Sequence, residues 1–162
     1  MSVRIVPATV ETLEALRDNP EEFSRRIGSA IPEGWPEFPE AIAYTLDFLA
    51  TAPEHDRVWT MHYFIEEASD ALVGSGGYTA PPADRTVEIG YEIAPEHRGR
   101  GLGIASARAL VESALESGEV DRVVAHTLAS ENPSTGVLRA LGFELMEELD
   151  DPDEGTIWEW TF

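Results

Sequence analysis

The run Arg98-Gly99-Arg100-Gly101-Leu102-Gly103 sets three glycines and two arginines directly ahead of Ile104, Ala107, Val111 and Ala114, whose spacing traces one face of a helix. The first N–H groups of a helix have no partner inside it, and the helix dipole adds partial positive charge there. Glycines let a ligand come close to that backbone, so the pattern predicts an anion site for a phosphate or pyrophosphate. Arg98, Arg100 and Arg108 bring three of the chain's eleven basic residues into this segment. Just upstream, Glu88 and Glu92 stand four apart in "RTVEIGYEI". That spacing places both carboxylates on one face of a strand and Tyr91 on the other.

The elements that must position these groups can be read from periodicity. Residues 3–6 read as a short strand, and Thr9 as the cap of a helix on which Leu13 and Leu16 share a face. A second helical stretch covers about residues 20–27; the proline-rich "GSAIPEGWPEFPE" is a loop, and Ile42, Leu46 and Leu49 mark a third helix. Trp35 in that loop either faces a substrate or covers the core. From Arg57 the period changes to two, with Trp59, Met61, Tyr63 and Ile65 alternating against Thr60, His62 and Phe64. "ALVGSGGYT" and "RTVEIGYEI" continue an antiparallel meander. The glycines of the former leave room above the strand for an acceptor, or mark a bulge and close packing. Beyond the glycine-rich turn come a helix, the strand "DRVVAHTL", the short helix "NPSTGVLRAL" with an early Pro133, and two final strands, "FELMEEL" and "TIWEWTF". Strand, turn, helix, strand is a crossover unit, which pairs its strands in parallel.

Composition narrows the function. One domain over residues 1–162 is expected, with no run of eighteen apolar residues and no basic-then-apolar start, hence a cytoplasmic protein. The chain has no cysteine, which excludes disulfides, thiolate metal sites and a Cys nucleophile. His55, His62, His97 and His126 show no metal-ligand spacing, so no metal is expected. There is no lysine for a P-loop, and a net charge of -20 makes nucleic acid an unfavourable partner. That acidity would attract a cationic substrate, but it reads first as the mark of a GC-rich genome or a high-salt cytoplasm. A dinucleotide fingerprint fails because Ser106 stands where Gly101-Leu-Gly103-Ile-Ala needs its third glycine, and because the unit follows a meander. A glycine-rich connector that binds nothing is disfavoured by the density of Arg and Gly.

Arg98-Gly99-Arg100-Gly101-Leu102-Gly103 fits Arg/Gln-x-x-Gly-x-Gly/Ala, and here the chain resembles the GCN5-related N-acetyltransferases. "VEIGYEIAPEHRGRGLG" is similar to that family's central strand and coenzyme A loop, and "HTLASENPSTGVLRALGF" to its later strand, asparagine and closing Gly-Phe. The pattern is nearest to the subgroup that acetylates ribosomal-protein amino termini. The resemblance spans about residues 3–162 and implies a mixed α/β fold: a twisted, mostly antiparallel sheet of six or seven strands with one parallel pair, flanked by helices.

It also implies roles. Acetyl-CoA would be the co-substrate and a primary amine the acceptor, either a protein amino terminus or, alternatively, a small cationic amine such as a polyamine or aminoglycoside. A catalytically silent acyl-CoA-binding domain is the reading from another class. Neither nucleic acid nor membrane is an expected partner, and a homodimer is an admissible assembly. Ile93 would offer backbone groups to the pantetheine arm where the sheet splays. The amides of Arg98, Gly99, Arg100, Gly101, Leu102, Gly103 and Ile104 would hold the pyrophosphate, and Asn132 would bond the pantetheine or position the thioester. An amine must lose a proton before attack, so a carboxylate, directly or through water, is the natural base, unless the amine arrives neutral and none is needed. Glu88 stands where related enzymes often carry a glutamate; Glu92 is the rival. The family's thiolate-protonating tyrosine position is occupied by Leu138 here, which leaves Ser134 or Thr135 to supply an acid. His62 is read as a strand-surface histidine rather than a groove residue, and His126 as a packed core or rim residue.

Overall fold

The protein, described by a computed structural model over residues 2–162, alternates local signals that fix each element with long-range pairing that fixes the sheet. Strand β1 (Val3–Pro7) is followed by α1 (Val10–Asp18), where Thr9 and Thr12 close a reciprocal cap. Asn19 caps α2 (Pro20–Ile27), whose first residue is the favoured proline and whose end is a left-handed Gly28. Helix α3 (Glu40–Thr51) leads into β2 (Met61–Glu66), β3 (Ala71–Tyr78) and β4 (Thr86–Ile93). Then come α4 (Leu102–Glu116), β5 (Arg122–Leu128), α5 (Pro133–Leu141), β6 (Glu144–Asp151) and β7 (Gly155–Thr161).

The strands form one sheet in the order β1-β2-β3-β4-β5-β7-β6. Every neighbouring pair is antiparallel except β4 and β5, which α4 connects as a crossover. This is the expected fold class. Two apolar clusters sandwich the sheet. On one face α1, α2 and α3 bury Leu13, Phe23 and Leu49 against Tyr63, Ile65 and Leu72. On the other, Leu102, Leu110 and Leu138 of α4 and α5 pack on Phe64, Val87, Ile89, Val123 and Trp160. The first cluster takes no residue from β5, β6 or β7, so the three N-terminal helices cover only half of their face.

Four sequence expectations are settled by this packing. Strand β2 begins at Met61 rather than near Trp59, because a tight turn over Glu54–Asp56 continues into Trp59, whose N–H bonds the Asp56 carbonyl. Trp59 instead lies edge-on to Tyr78 in the core. His62 is not on a strand surface: it is 2% exposed, because helices cover both faces of β2, and its Nδ1 lies 3.0 Å from the Thr60 carbonyl. Trp35 covers the core, its Nε1 donating to Ser75 Oγ at 2.9 Å. The glycines of β3 reflect close packing, since a Cβ at Gly74 would collide with the Glu92 carbonyl oxygen.

Candidate active site

The parallel ladder between β4 and β5 runs from Thr86 opposite Arg122 to Ile89 opposite Ala125 and then stops. Residues 90–93 and 126–128 therefore diverge, and the sheet opens at its centre. Past this opening the chain makes a tight turn over Pro95–His97, and α4 begins behind a left-handed Gly101 with φ of 80°. A branched side chain would strain that backbone. Among the described residues, the N–H groups of Gly99, Arg100, Gly101, Leu102, Gly103 and Ile104 donate to no protein acceptor; the first helical bond is from Ala105 to the Gly101 carbonyl. The N–H of Arg98 does not join this set, because it closes the turn on Pro95 at 3.3 Å. A Cβ on Gly103 would stand 3.3 Å from Val137 of α5, so glycine lets α4 start flush against its neighbour.

The arginines are less free than their density suggests. Arg98 Nε donates to the Ile93 carbonyl at 2.8 Å and its guanidinium lies 3.5 Å from Glu37. The strand-end carbonyl is thus occupied by a side chain of the loop. Arg100 pairs with the nearly buried Glu66 at 2.7 Å; the Ser69 hydroxyl, and then Arg100, hold that carboxyl below its ordinary range. Arg108 is exposed on α4. Glu37 and Glu66 thus offset part of the charge of Arg98 and Arg100, which leaves the unpaired backbone amides as the loop's uncommitted donors.

On the opposite side of the opening, α5 is capped by Asn132, whose Oδ1 accepts the Thr135 N–H at 3.0 Å while its Nδ2 donates to the Ser130 carbonyl at 3.1 Å. Thr135 is fully buried, with its hydroxyl committed to the Asn132 carbonyl and the Glu131 carboxylate. Ser134 is exposed, and its carbonyl accepts a 3.3 Å hydrogen bond from the Tyr91 hydroxyl, which ties α5 to β4 across the opening. Burial pushes the Tyr91 phenol well up, so it stays protonated.

Glu88 and Glu92 share a face of β4 but have different surroundings. Glu92 accepts the Glu37 N–H at 2.9 Å beneath the loop between α2 and α3; desolvation raises its pKa, reinforced by the charges of Glu37 and Glu40. Glu88 lines an open cavity of about 610 Å³ together with His126, Leu128, Leu149, Asp151 and Ile157. Its Oε2 is 3.1 Å from His126 Nδ1, and His126 Nε2 is 3.1 Å from Glu159 Oε2. His126 is thus a rim residue with two charged partners. Sequence reading missed Glu159, although its alternation with Trp158 and Trp160 in "TIWEWTF" is the signal that could have found it. Among the described residues no His, Asp and Glu cluster has the arrangement to hold a metal, and no helix is long and apolar enough to cross a membrane.

The parallel pair thus splits near a helix start whose amides are unpaired, and an ionisable cavity opens where the paired ladder ends. The acetyltransferase (GNAT) domain matches residues 3–144, and the chain belongs to that family of acetyl-CoA-dependent N-acyltransferases. It is 24% identical over 146 residues to the uncharacterized N-acetyltransferase YjdG of Bacillus subtilis (strain 168), covering 88% of this chain and 86% of that one. Its fold is similar to that of a ribosomal-protein-S5-alanine acetyltransferase from Vibrio fischeri, with a TM-score of 0.71 at 15% identity over 100% of this chain and 93% of the other. It is also similar to RimL, a ribosomal L7/L12 alpha-N-protein acetyltransferase in complex with coenzyme A, with a TM-score of 0.70 at 15% identity over 100% and 94% of the two chains.

Proposed function

We propose that the protein transfers the acetyl group of acetyl-CoA to the amino terminus of a protein or peptide, with Glu88 as general base. The observations that support this reading are the six unpaired amides ahead of α4, the end of β4–β5 pairing at Ile89 and Ala125, and the cavity that Glu88 lines just beyond it. The amides of Gly99, Arg100, Gly101, Leu102, Gly103 and Ile104 would bind the pyrophosphate, with the α4 dipole behind them. Ile93 and Asn132 would line the path of the pantetheine at the opening; the Arg98 side chain would move off the Ile93 carbonyl for the arm to bond there. The bound co-substrate supplies an activated thioester.

Glu88 takes the proton of the incoming ammonium group, and the freed amine forms the new amide bond as the C–S bond breaks. Ser134, exposed and with an uncommitted hydroxyl, is the better placed of the two hydroxyl candidates to protonate the departing thiolate, since Thr135 is locked into its cap. A peptide terminus suits the cavity because Leu128, Leu149 and Ile157 offer apolar surface for the first side chain beside carboxylates that attract the ammonium. The likeness to acetyltransferases of ribosomal-protein amino termini supports the same choice. The acid lining also favours a small cationic amine, which is the competing acceptor.

Release of free thiol from acetyl-CoA, measured against a panel of ribosomal amino-terminal peptides, polyamines and aminoglycosides, tests the assignment. The expected outcome is the highest kcat/KM with a peptide terminus. Preferential turnover of a polyamine or aminoglycoside would replace it with the competing acceptor.

A further inference from the structure

His126 sits at the point where backbone pairing between β4 and β5 ends. Glu88 is opposite Val124, and His126, two residues further along the same face of β5, reaches back to Glu88 just beyond the last paired residues, Ile89 and Ala125. On its other side it meets Glu159, its partner across the antiparallel β5–β7 ladder. The ring therefore lies between two carboxylates at equal distances of 3.1 Å, with only the Glu159 contact also aligned as a hydrogen bond.

That placement restricts the ring's protonation. A neutral imidazole has one N–H and one bare nitrogen, so it would turn a lone pair toward one carboxylate. The imidazolium donates from both nitrogens and satisfies both. Burial pushes the His126 pKa down, but the hydrogen bonds and charges of Glu88 and Glu159 more than offset this and raise it above the usual 6.5. The other charged groups around the ring are of both signs: carboxylates favour the imidazolium, and Arg122 opposes it. Asp151 of β6 is held low by the N–H groups of Glu154 and Asp153 and, to a smaller degree, by His126 itself. Asp150 and Glu154 add carboxylates at the cavity rim, and Arg122 approaches Glu159 to 3.8 Å from the far side.

We propose that His126 is a positioning residue for acetyl transfer: held as an imidazolium by Glu159, it fixes the Glu88 carboxylate through Oε2 and leaves Oε1 for the amine. This rests on the reading of Glu88 as the base. His126 keeps both its protons through the cycle; the amine's proton goes to Glu88 and from there to solvent in the cavity. Loss of the His126 proton turns a lone pair on a carboxylate and releases Glu88. A purely structural purpose explains the arrangement less well, because Glu159 already has Arg122 nearby and partly exposed ion pairs contribute little stability.

Two measurements on the full chain decide it. The first follows the His126 ring by NMR titration, and expects a midpoint above 6.5 in the wild type that falls in Glu159→Gln. A midpoint at or below 6.5, or one that Glu159→Gln does not move, overturns the clamp. The second measures kcat/KM against pH with the best acceptor peptide. The wild type should fall on the alkaline side as His126 loses its proton. His126→Gln should lower kcat roughly tenfold to a hundredfold, the cost of a misaligned reacting group, with the KM for acetyl-CoA unchanged and the alkaline fall gone. His126→Lys keeps a cation between the carboxylates, so it should recover most of the rate and hold it into alkaline solution. A wild-type rate and profile in folded His126→Gln, or a His126→Lys no better than His126→Gln, would sink the positioning role alone. Full activity of Glu88→Gln would instead remove the base on which it acts.

Discussion

The two halves of the sheet handle ionisable groups in opposite ways. In the half built by β1, β2 and β3, helices cover both faces, every residue of β2 after Met61 is buried, and His62 lies edge-on to Tyr78 with no charged partner. In the half built by β5, β6 and β7 one face has no helix over it, β6 is mostly exposed, and His126 is bracketed by carboxylates. Strand β4 is the boundary. Packing is densest in the first half, and the carboxylates around His126 gather where the layers open, so under the proposed assignment stability and activity are separable by mutation.

The sharpest break in the comparison is Glu88→Gln, which keeps size and hydrogen-bonding shape but removes proton affinity. Turnover should fall by roughly 10²–10⁴-fold at neutral pH, the usual contribution of a general base, with acetyl-CoA binding and melting temperature near wild type. Part of the loss should return at high pH, where more amine arrives deprotonated. Glu92→Gln, beneath its loop rather than in the cavity, should keep most of the activity. Steady-state kinetics of the two variants side by side check both statements, and a reversed pattern would move the base to Glu92.

Stability should divide the other way. Phe64→Ala empties a fully buried site in the covered half and should cost about 3–5 kcal/mol. Met146→Ala, at a residue 57% exposed on β6, should stay within about 0.5 kcal/mol of wild type. Urea unfolding measures both. Similar costs for the two would mean that β6 is covered by something, such as a partner or a second copy of the chain.

A smaller effect is expected at the boundary itself. Gly103→Val puts a branched side chain where a Cβ already meets Val137, at the mouth of the amide cluster, so acetyl-CoA affinity should drop about tenfold or more, near 1.4 kcal/mol. Calorimetry on the folded variant checks it. Unchanged affinity would place the donor elsewhere.

What could be read from the residues follows the same division between local and long-range causes. The cap at Thr9, the span of α2 and the Gly142 stop of α5 depend on neighbours in the chain, and periodicity with capping chemistry finds them. The crossover at residues 86–128 was legible because strand, glycine turn, helix and strand follow one another directly. The insertion of β7 between β5 and β6 is not encoded locally, and with it the meeting of His126 and Glu159 was out of reach. His62 was misread for a related reason: alternation tells two faces apart only when one is wet, and β2 is dry on both. That Thr135 rather than Ser134 has its hydroxyl tied into the cap was likewise out of reach, since spacing alone does not show which hydroxyl the helix start consumes.

The finest test of the comparison uses the two histidines as opposed pH probes. Burial lowers the His62 pKa in the folded state, only partly countered by the Thr60 carbonyl. Its contribution to stability is therefore present above the unfolded value of about 6.5 and is lost as pH falls through the folded value. For His126 the folded pKa is raised, so its contribution is complete below about 6.5 and is lost as pH rises through the folded value. In the wild type the two slopes have opposite sign and partly cancel around neutrality. His62→Phe should remove the acid-side loss while keeping an aromatic ring beside Tyr78, and His126→Gln should remove the alkaline-side loss. Unfolding free energies between pH 5 and 8 should therefore tilt in opposite directions for the two variants, by a fraction of the Phe64→Ala effect. Parallel tilts would mean that the rings titrate alike, and that the covered and open halves of the sheet do not differ in how they treat charge.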